Sequence, residues 1–262
     1  MKIGNLVAAL EHFAPLSLQD SFDNAGWQIG LTEDADASGA LLCLDVTESV
    51  IDEAARKGCN LVVSHHPLLF HPLKKITGED YVQRCVMKAI RMGIGLYAAH
   101  TNLDNAPGGV NAVIADRLGL SCCKPLLPNE SHEGAGSGLI GELREPMSAA
   151  AFLQLVQDRF EVACVRHNAW QGGGVQRVAL CGGAGAFLIP NALHAGADAF
   201  LTGEVGYHRF FGLTHQLLLI EIGHYESEQY TVELLARLLR EADPLLPIYM
   251  TETKTNPIEY KA

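Results

Sequence analysis

Short, largely apolar runs alternate with amphipathic stretches along much of the chain. ALLCL (40–44), LVVS (61–64) and GIGLYAA (93–99) form one series, and the segments between them have helical periodicity. Strands that are buried on both faces of a parallel sheet have such uninterrupted apolar runs. Their alternation with helices is typical of βαβ units. We therefore predict an α/β fold with mostly parallel sheets.

The same order of elements occurs a second time. Residues 40–70 and 178–210 align at a constant offset, which pairs Cys43 with Cys181 and Gly58 with Gly196. Both segments read as strand, helix, glycine, strand and polar cluster, and the clusters are Ser64-His65-His66 and Thr202-Gly203-Glu204. An internal repeat of this kind predicts two similar α/β lobes.

The residues between the two copies have a different pattern. They include a turn-rich stretch, NESHEGAGSG, one helical stretch, SAAAFLQLVQDRF, and three consecutive glycines at 172–174. We therefore predict a first α/β lobe over 1–123, a small inserted α+β subdomain over 124–176 and a second α/β lobe over 177–262. The repeat predicts that a metal-binding cleft lies between the two lobes.

Composition narrows the class of protein. Acidic residues outnumber basic ones, 30 to 19, and the formal net charge is −11. Such a surface argues against general binding to nucleic acid or to anionic membranes, although a small local site for a phosphorylated heterocycle remains compatible with it. The N-terminus lacks a signal-peptide pattern, and no run reaches the ~18 apolar residues of a membrane span. Seven scattered cysteines without a CxxC pair are typical of reduced thiols, so we expect a cytoplasmic protein.

Histidines and acids follow the predicted strands. A strand ending in His is followed in both copies by an acid four residues later, which gives the pairs His100/Asp104 and His224/Glu228. Ligands of open parallel sheets bind beyond the carboxyl ends of the strands. The candidate side chains at such ends are His65, His66, His100, Asp104, Glu204, His224 and Glu228. We expect them to converge if the two repeats pack together.

Imidazole and carboxylate ligands without thiolate suit Fe, Zn, Mn, Co or Ni. His224 and Glu228 have helical spacing and can reach one ion, whereas Asp104 is short enough to bridge two. Two ions ~3.5–4 Å apart would share a water suited to hydrolysis. Singly, each residue has an alternative explanation as a hydrogen-bonded structural residue or an exposed helical pair.

Five segments resemble one known family: FDNAGWQIG (22–30), SHHPLLF (64–70), AAHTNLDNAPGGVN (98–111), DAFLTGEVGYH (198–208) and GHYESEQY (223–230). They are similar to the NIF-three-like family, whose members are named GTP cyclohydrolase type 2 homologues. The resemblance implies a cytosolic, toroidal homohexamer with two divalent metal ions per chain in a cleft between similar lobes. It implies that the metal ligands are His65, His66, Asp104, His224 and Glu228.

Two further residues match the family pattern outside that ligand set and are candidate catalytic residues. His100 could orient a ligand, and Glu204 could accept a proton from a metal-bound water. A structural hydrogen bond is an equally open explanation for both. Similarly, the glycines at 182–185 could cradle a phosphate, or they could permit close packing of a strand and a helix.

Two functions follow as alternatives. One is a metal-dependent hydrolase, similar to a GTP cyclohydrolase, that acts on a nucleotide or pterin-like substrate. The other is a non-catalytic metal-binding module that regulates or scaffolds a partner protein. An open coordination position distinguishes a catalytic metal site from a closed structural one. Five protein ligands do not fill the shells of two ions, which favours the hydrolase.

Overall fold

The computed structural model describes residues 1–30 and 34–261. The helices are α1 (Ile3–Phe13), α2 (Glu48–Arg56), α3 (Tyr81–Met92), α4 (Thr101–Asn105), α5 (Val110–Leu118), α6 (Ala149–Phe160), α7 (Ile189–His194), α8 (His224–Glu228) and α9 (Thr231–Ala242). The strands are β1 (Gly26–Ile29), β2 (Ala40–Cys43), β3 (Leu61–Ser64), β4 (Gly95–Ala98), β5 (Ser121–Pro128), β6 (Gly136–Met147), β7 (Arg166–His167), β8 (Val175–Cys181), β9 (Ala199–Thr202), β10 (Leu218–Glu221) and β11 (Ile248–Met250). No helix in the described part of the chain is long and apolar enough to cross a membrane.

The chain forms two compact units. The first unit contains Met1–Leu103 and Thr231–Glu259, and the second contains Asp104–Tyr230 together with Tyr260 and Lys261. This division differs from the sequence boundaries at 123 and 176. Residues 104–123 fall in the second unit because α5 packs against β6, β8 and α6, whereas α9 and β11 fall in the first unit although they follow the second repeat in sequence.

The first unit is built on a five-stranded sheet in the order β1-β4-β3-β2-β11. Its strands are parallel except for β1, which pairs antiparallel with β4. The α2 helix begins where the Thr47 side chain accepts a hydrogen bond from the Val50 backbone N–H, and α3 begins at the corresponding cap of Asp80. A core of fully buried side chains, including Leu41, Ile51 and Leu96, joins these helices to the sheet.

The second unit has a six-stranded sheet in the order β5-β6-β8-β9-β10-β7. The parallel strands β8, β9 and β10 lie between antiparallel neighbours, β6 on one side and β7 on the other. Residues 124–176 therefore contribute strands to the same sheet as the second repeat. Phe200, Leu219 and Leu188 are fully buried in the core of this unit.

The strand registers confirm the internal repeat and the α/β fold. In the first unit Cys43 pairs with Ser64 in parallel strands, and in the second unit Cys181 pairs with Thr202 in the same way. Each unit then continues to a third parallel strand, β4 or β10. A five-residue helix, α4 or α8, follows each of these strands. The shared pattern of apolar runs thus encodes the same strand–helix–strand arrangement in both units.

Candidate metal centre

His65, His66 and His100 form a three-histidine cluster at the carboxyl end of the first sheet. His65 and His66 directly follow β3, and His100 lies two residues beyond β4. The ring centroids are 4.9 Å apart for His65 and His66, 5.3 Å for His65 and His100, and 5.5 Å for His66 and His100. Each ring offers a nitrogen within 4.8 Å of the other two. The spacing allows the three imidazoles to face a common ion.

Hydrogen bonds at Nδ1 orient the two adjacent histidines. The Nδ1 atom of His65, a fully buried residue, lies 2.8 Å from the Ala99 carbonyl oxygen. The Nδ1 atom of His66 lies 2.8 Å from Asp45 Oδ1, and Asp45 Oδ2 accepts a hydrogen bond from Thr255 Oγ1 at 3.0 Å. An imidazole that donates from Nδ1 carries its metal-binding lone pair on Nε2. The two rings are therefore held in the tautomer that a metal ligand needs.

His100 has an equivalent carboxylate partner. Its Nδ1 atom lies 2.6 Å from Asp23 Oδ1, and the side chain of Asp23 is fully buried. The Asp23 carboxylate also accepts hydrogen bonds from the backbone and hydroxyl of Thr101. Burial alone would raise the pKa of Asp23, but the hydrogen bonds from His100 and Thr101 outweigh it and hold the pKa below its ordinary value. Asp23 therefore stays ionised and fixes the orientation of the His100 ring.

A second group of candidate ligands lies on α8 in the second unit. His224 Nε2 lies 3.1 Å from Glu228 Oε2, one helical turn away, and Glu228 is only 3% exposed. On the other side of the ring, His224 Nδ1 lies 2.8 Å from Glu204 Oε1, which follows β9. The imidazole is thus held between two carboxylates. The Nε2 atom of His224 and the Glu228 carboxylate lie next to each other, which is the arrangement that two ligands of one ion need.

Residues Gly182-Gly183-Ala184-Gly185 form a glycine loop that packs against α8. A Cβ atom at Gly183 would overlap Glu228 Oε1, so only glycine permits this approach. The backbone N–H groups donate to side chains of the same unit, Gly182 to Asn111, Gly183 to Ser227 and Gly185 to Thr202. Close packing therefore explains these glycines, and a phosphate cradle, which needs these N–H groups, is not supported.

Asp104 lies on α4, and its backbone is tied to the glycine loop. The amide nitrogen of the buried Asn111 side chain donates to the Asp104 carbonyl oxygen at 3.0 Å. The amide oxygen of the same side chain accepts from Gly182 N–H at 3.0 Å. Asn111 therefore fixes the backbone that carries Asp104 relative to the loop that packs against Glu228.

The structure brings the predicted site residues together in two sets. His65, His66 and His100 form one set in the first unit, and Glu204, His224 and Glu228 form the other in the second unit. Convergence of the two sets, with Asp104, stays a prediction.

Two carboxylate partners of the histidines, Asp45 and Asp23, were not predicted from the sequence, whereas Glu204, the partner of His224, was already a candidate site residue. Asp45 directly follows Leu44 beyond β2, so the rule that ligands lie at the carboxyl ends of strands could have found it. Asp23 lies before β1, in a stretch without periodicity, and gave no such signal.

The chemistry of these donors fits a divalent metal ion. Imidazole nitrogens and carboxylate oxygens, with oriented rings, are the ligands that Zn, Fe(II), Mn, Co and Ni take in proteins. Carboxylates and carbonyls that hold the second ring nitrogen are the usual partners of such ligands. All seven cysteines are free thiols, and none belongs to either set of side chains.

The protein is therefore an α/β protein with a candidate metal centre. The central strands of both sheets are parallel, and imidazole and carboxylate groups lie at their carboxyl ends. The chain belongs to the Duf34/NIF3 (NGG1p interacting factor 3) family, whose sequence model matches residues 1–257. The recognition made from the sequence motifs is thereby confirmed.

Curated relatives and a solved structure are similar over nearly the whole chain. A GTP cyclohydrolase 1 type 2 homolog of Lactococcus lactis is 34% identical over 261 residues, which cover 98% of this chain and 98% of that protein. The protein of the same name from Clostridium acetobutylicum is 30% identical over 267 residues, covering 100% and 99%. The crystal structure of Staphylococcus aureus protein SA1388 has a TM-score of 0.90 at 27% identity and covers 100% of this chain and 99% of that one.

Proposed function

We propose that the protein is a dinuclear metal-dependent hydrolase. Its proposed ligands are His65, His66, Asp104, His224 and Glu228, which hold two divalent ions per chain drawn from Fe, Zn, Mn, Co and Ni. The proposal rests on one observation: a carboxylate orients the imidazole ring in three of the histidines. Nδ1 of each of His66, His100 and His224 lies within 2.8 Å of a carboxylate oxygen, which is how proteins orient metal-binding histidines.

The ligand count supports catalysis rather than a closed structural site. Five protein side chains do not complete the coordination of two ions, whereas structural sites are closed by protein ligands. When bound, a pair of such ions lowers the pKa of coordinated water to ~7 and supplies a nucleophile at neutral pH. Two carboxylates of the chain orient the histidine rings at this site: Asp45 orients His66, and Asp23 orients His100.

Glu204 and His100 have narrower proposed roles. The contact between Glu204 and His224 supports an orienting role for Glu204, whose second oxygen could also accept a proton from substrate or water. His100 lies close enough to His65 and His66 to add a ligand to the same ion, besides the orienting role that the sequence suggests.

The substrate class rests on the relatives. Similar proteins carry the name GTP cyclohydrolase 1 type 2 homolog, which supports a nucleotide or pterin-like heterocycle as substrate. Because folds and names transfer function poorly, the substrate has to be tested directly. Wild type should be screened against GTP and related phosphorylated heterocycles, with Asp104→Ala as the comparison. Turnover by wild type that Asp104→Ala abolishes supports the hydrolase, and turnover that persists in the variant contradicts the proposed site.

The metal site itself is tested by elemental analysis of the purified protein. We expect about two divalent ions per chain, and we expect the double variant His65→Ala/Glu228→Ala to lose them. His194→Ala is the matched control, because His194 is an exposed histidine at the end of α7. Full metal content in the double variant would remove the proposed ligand set, provided that the control and wild type agree.

The family description favours a second candidate function. The name of the family, NGG1p interacting factor 3, supports a non-catalytic metal-binding module that regulates or scaffolds a partner protein. Metal binding without any turnover that depends on Asp104 would favour this module. In either case we propose a cytoplasmic homohexamer, which light scattering tests as a sixfold multiple of the 28.3 kDa chain mass.

A further inference from the structure

We propose that a cavity beside the three-histidine cluster binds the planar ring of the substrate. This inference rests on the proposed function, because it supplies that reaction with a ring-binding pocket. The cavity has a volume of about 630 Å³ and lies in the first unit, next to the segment that follows His66. Pockets of this size hold molecules with a fused ring system.

Two aromatic side chains form the exposed rim of the cavity. Phe22 is 65% exposed and Phe70 is 40% exposed, although large apolar side chains are usually covered. Their ring centroids are 6.4 Å apart, and the rings are tilted by 59°. Ile76 and Ile90 extend the apolar lining and are also more than half exposed. Exposed aromatic rings at the mouth of a cavity offer faces on which a planar ligand stacks.

Direct contacts join this cavity to the candidate metal centre. The ring of Phe70 lies edge-on to His100, with centroids 6.2 Å apart and planes at 85°. Asp23 also lines the cavity, and its carboxylate is the partner of His100 Nδ1. A ring held against Phe70 therefore lies beside His100, one member of the three-histidine cluster. This placement favours a substrate pocket over an unrelated surface groove.

Hydrogen bonds fix the segment that carries Phe70. The Asn24 side chain donates to the Leu69 carbonyl oxygen at 2.7 Å. The Gln28 side-chain oxygen accepts from the Leu69 N–H at 2.9 Å, while its nitrogen donates to the Asn24 carbonyl oxygen at 2.7 Å. Both backbone polar groups of Leu69 are thus held by amide side chains. The pocket is preformed, and preformed sites lose less conformational entropy on binding.

The same contacts determine which part of a substrate fits. Among the lining residues, the Asp23 carboxylate is engaged by His100 and Thr101, and the amides of Asn24 and Gln28 hold the backbone. Apart from the exposed imidazole of His71, the remaining wall is apolar and aromatic. A phosphate needs several cationic or N–H donors, and one imidazole does not supply them, so this wall favours an uncharged planar ring. We therefore assign the cavity to the heterocycle and not to the phosphates.

Binding of pterin and guanosine to the purified protein, incubated with divalent metal and with its metal content measured, tests this assignment, since both probes are planar and lack phosphate. We expect Phe22→Ala and Phe70→Ala each to weaken the calorimetric Kd roughly tenfold, because each removes a stacking face. Phe70→Tyr keeps the ring and should restore binding to within about threefold of wild type. Phe187→Ala removes an exposed aromatic ring from the second unit and should leave the Kd unchanged.

The measured metal content separates this inference from the proposed function. Loss of ring binding in the alanine variants at full metal content supports the cavity. Unchanged ring binding in those variants overturns the assignment, as does a metal-loaded wild type that binds neither probe. A third outcome would also overturn the assignment. If wild type binds neither probe and the alanine variants change the oligomeric mass, the cavity is an interface between copies of the chain. If wild type holds no metal but binds the rings through Phe22 and Phe70, the cavity stands and the hydrolase proposal fails.

Discussion

Asp45 Oδ1 lies 2.8 Å from His66 Nδ1, and this contact joins two neighbouring strands of the first sheet at their carboxyl ends. The second oxygen of Asp45 accepts a hydrogen bond from Thr255 Oγ1. The chain thus places a carboxylate behind a candidate metal ligand and holds that carboxylate with a residue from the C-terminal segment. Removal of such a partner typically lowers metal affinity or activity roughly 10- to 100-fold.

We expect Asp45→Ala to lower the affinity for Zn²⁺ or Mn²⁺ about 10- to 100-fold, because the His66 ring loses the acceptor that fixes its tautomer. Isothermal titration of the metal-free protein measures this change. Thr255→Val removes only the support of Asp45, so its effect should have the same direction and a smaller size. Asp158→Ala, at an exposed position on α6, is the control and should bind metal as wild type does. Equal affinities of Asp45→Ala and the control would contradict the role of Asp45.

Glu204 permits a test that separates positioning from proton transfer. Its Oε1 atom lies 2.8 Å from His224 Nδ1. Glu204→Gln keeps an oxygen that can accept this hydrogen bond, whereas Glu204→Ala does not. If Glu204 only positions His224, the metal affinity should fall about tenfold or more in Glu204→Ala and much less in Glu204→Gln, and turnover should follow metal content. Loss of turnover in Glu204→Gln at full metal content would instead assign proton transfer to this residue.

The sequence was sufficient to predict the strands that carry the site. Parallel strands buried on both faces have short apolar runs, and the residues after those runs lie at the ligand-binding end of the sheet. His65, His100 and His224 were found in this way, and the structure places each of them directly after or near a strand end. The repeat was visible for the same reason, because both units use the same alternation of strand and helix.

The sequence could not provide the pairings between distant side chains. Asp23 contacts His100 across 77 residues, and Thr255 contacts Asp45 across 210 residues. Such contacts depend on the order of strands in the sheet and on the path of the C-terminal segment, and neither leaves a local pattern. The place of β11 beside β2 is another example, since a three-residue strand has too few positions to show a periodicity.

Gly183 offers a test of the packing beneath α8. Its φ angle is +58°, and a Cβ atom there would overlap Glu228 Oε1. We expect Gly183→Ala to destabilise the fold by about 1–3 kcal/mol, because alanine is strained in the left-handed region and the Glu228 side chain must move. Metal affinity should fall as well, since Glu228 is a proposed ligand.

The matched control is Gly173→Ala, because a Cβ atom at Gly173 would meet nothing within 4 Å. Chemical denaturation measures both variants. We expect the control to unfold within about 0.5 kcal/mol of wild type. If the two alanine variants unfold alike, the close approach between the glycine loop and α8 does not constrain this position.

Glu53 makes the stability of the fold depend on pH in the acidic range. It lies on α2, is 1% exposed and accepts hydrogen bonds from Thr251, Glu252 and Thr253 in the C-terminal segment. Burial by itself would raise the pKa of Glu53, but these hydrogen bonds lower it from 4.5 to about 2. The ionised carboxylate therefore binds the C-terminal segment to α2.

A folded-state pKa below the unfolded value means that the stabilisation is complete above pH 4.5 and is lost as the pH falls through about 2. We expect Glu53→Gln to cost about 2 kcal/mol of unfolding free energy at pH 7, because hydrogen bonds to a buried charged group are lost. Between pH 4.5 and pH 2 the difference from wild type should shrink, because Glu53 of the unfolded chain becomes protonated in this range while Glu53 of the folded protein stays ionised until about pH 2. Glu252→Gln removes an exposed carboxylate that pairs with Lys57, and its cost should stay below about 1 kcal/mol. Denaturant unfolding at pH 7, 4 and 2.5 distinguishes the two variants, and a Glu53→Gln difference that is the same at all three values would show that ionised Glu53 does not hold the C-terminal segment.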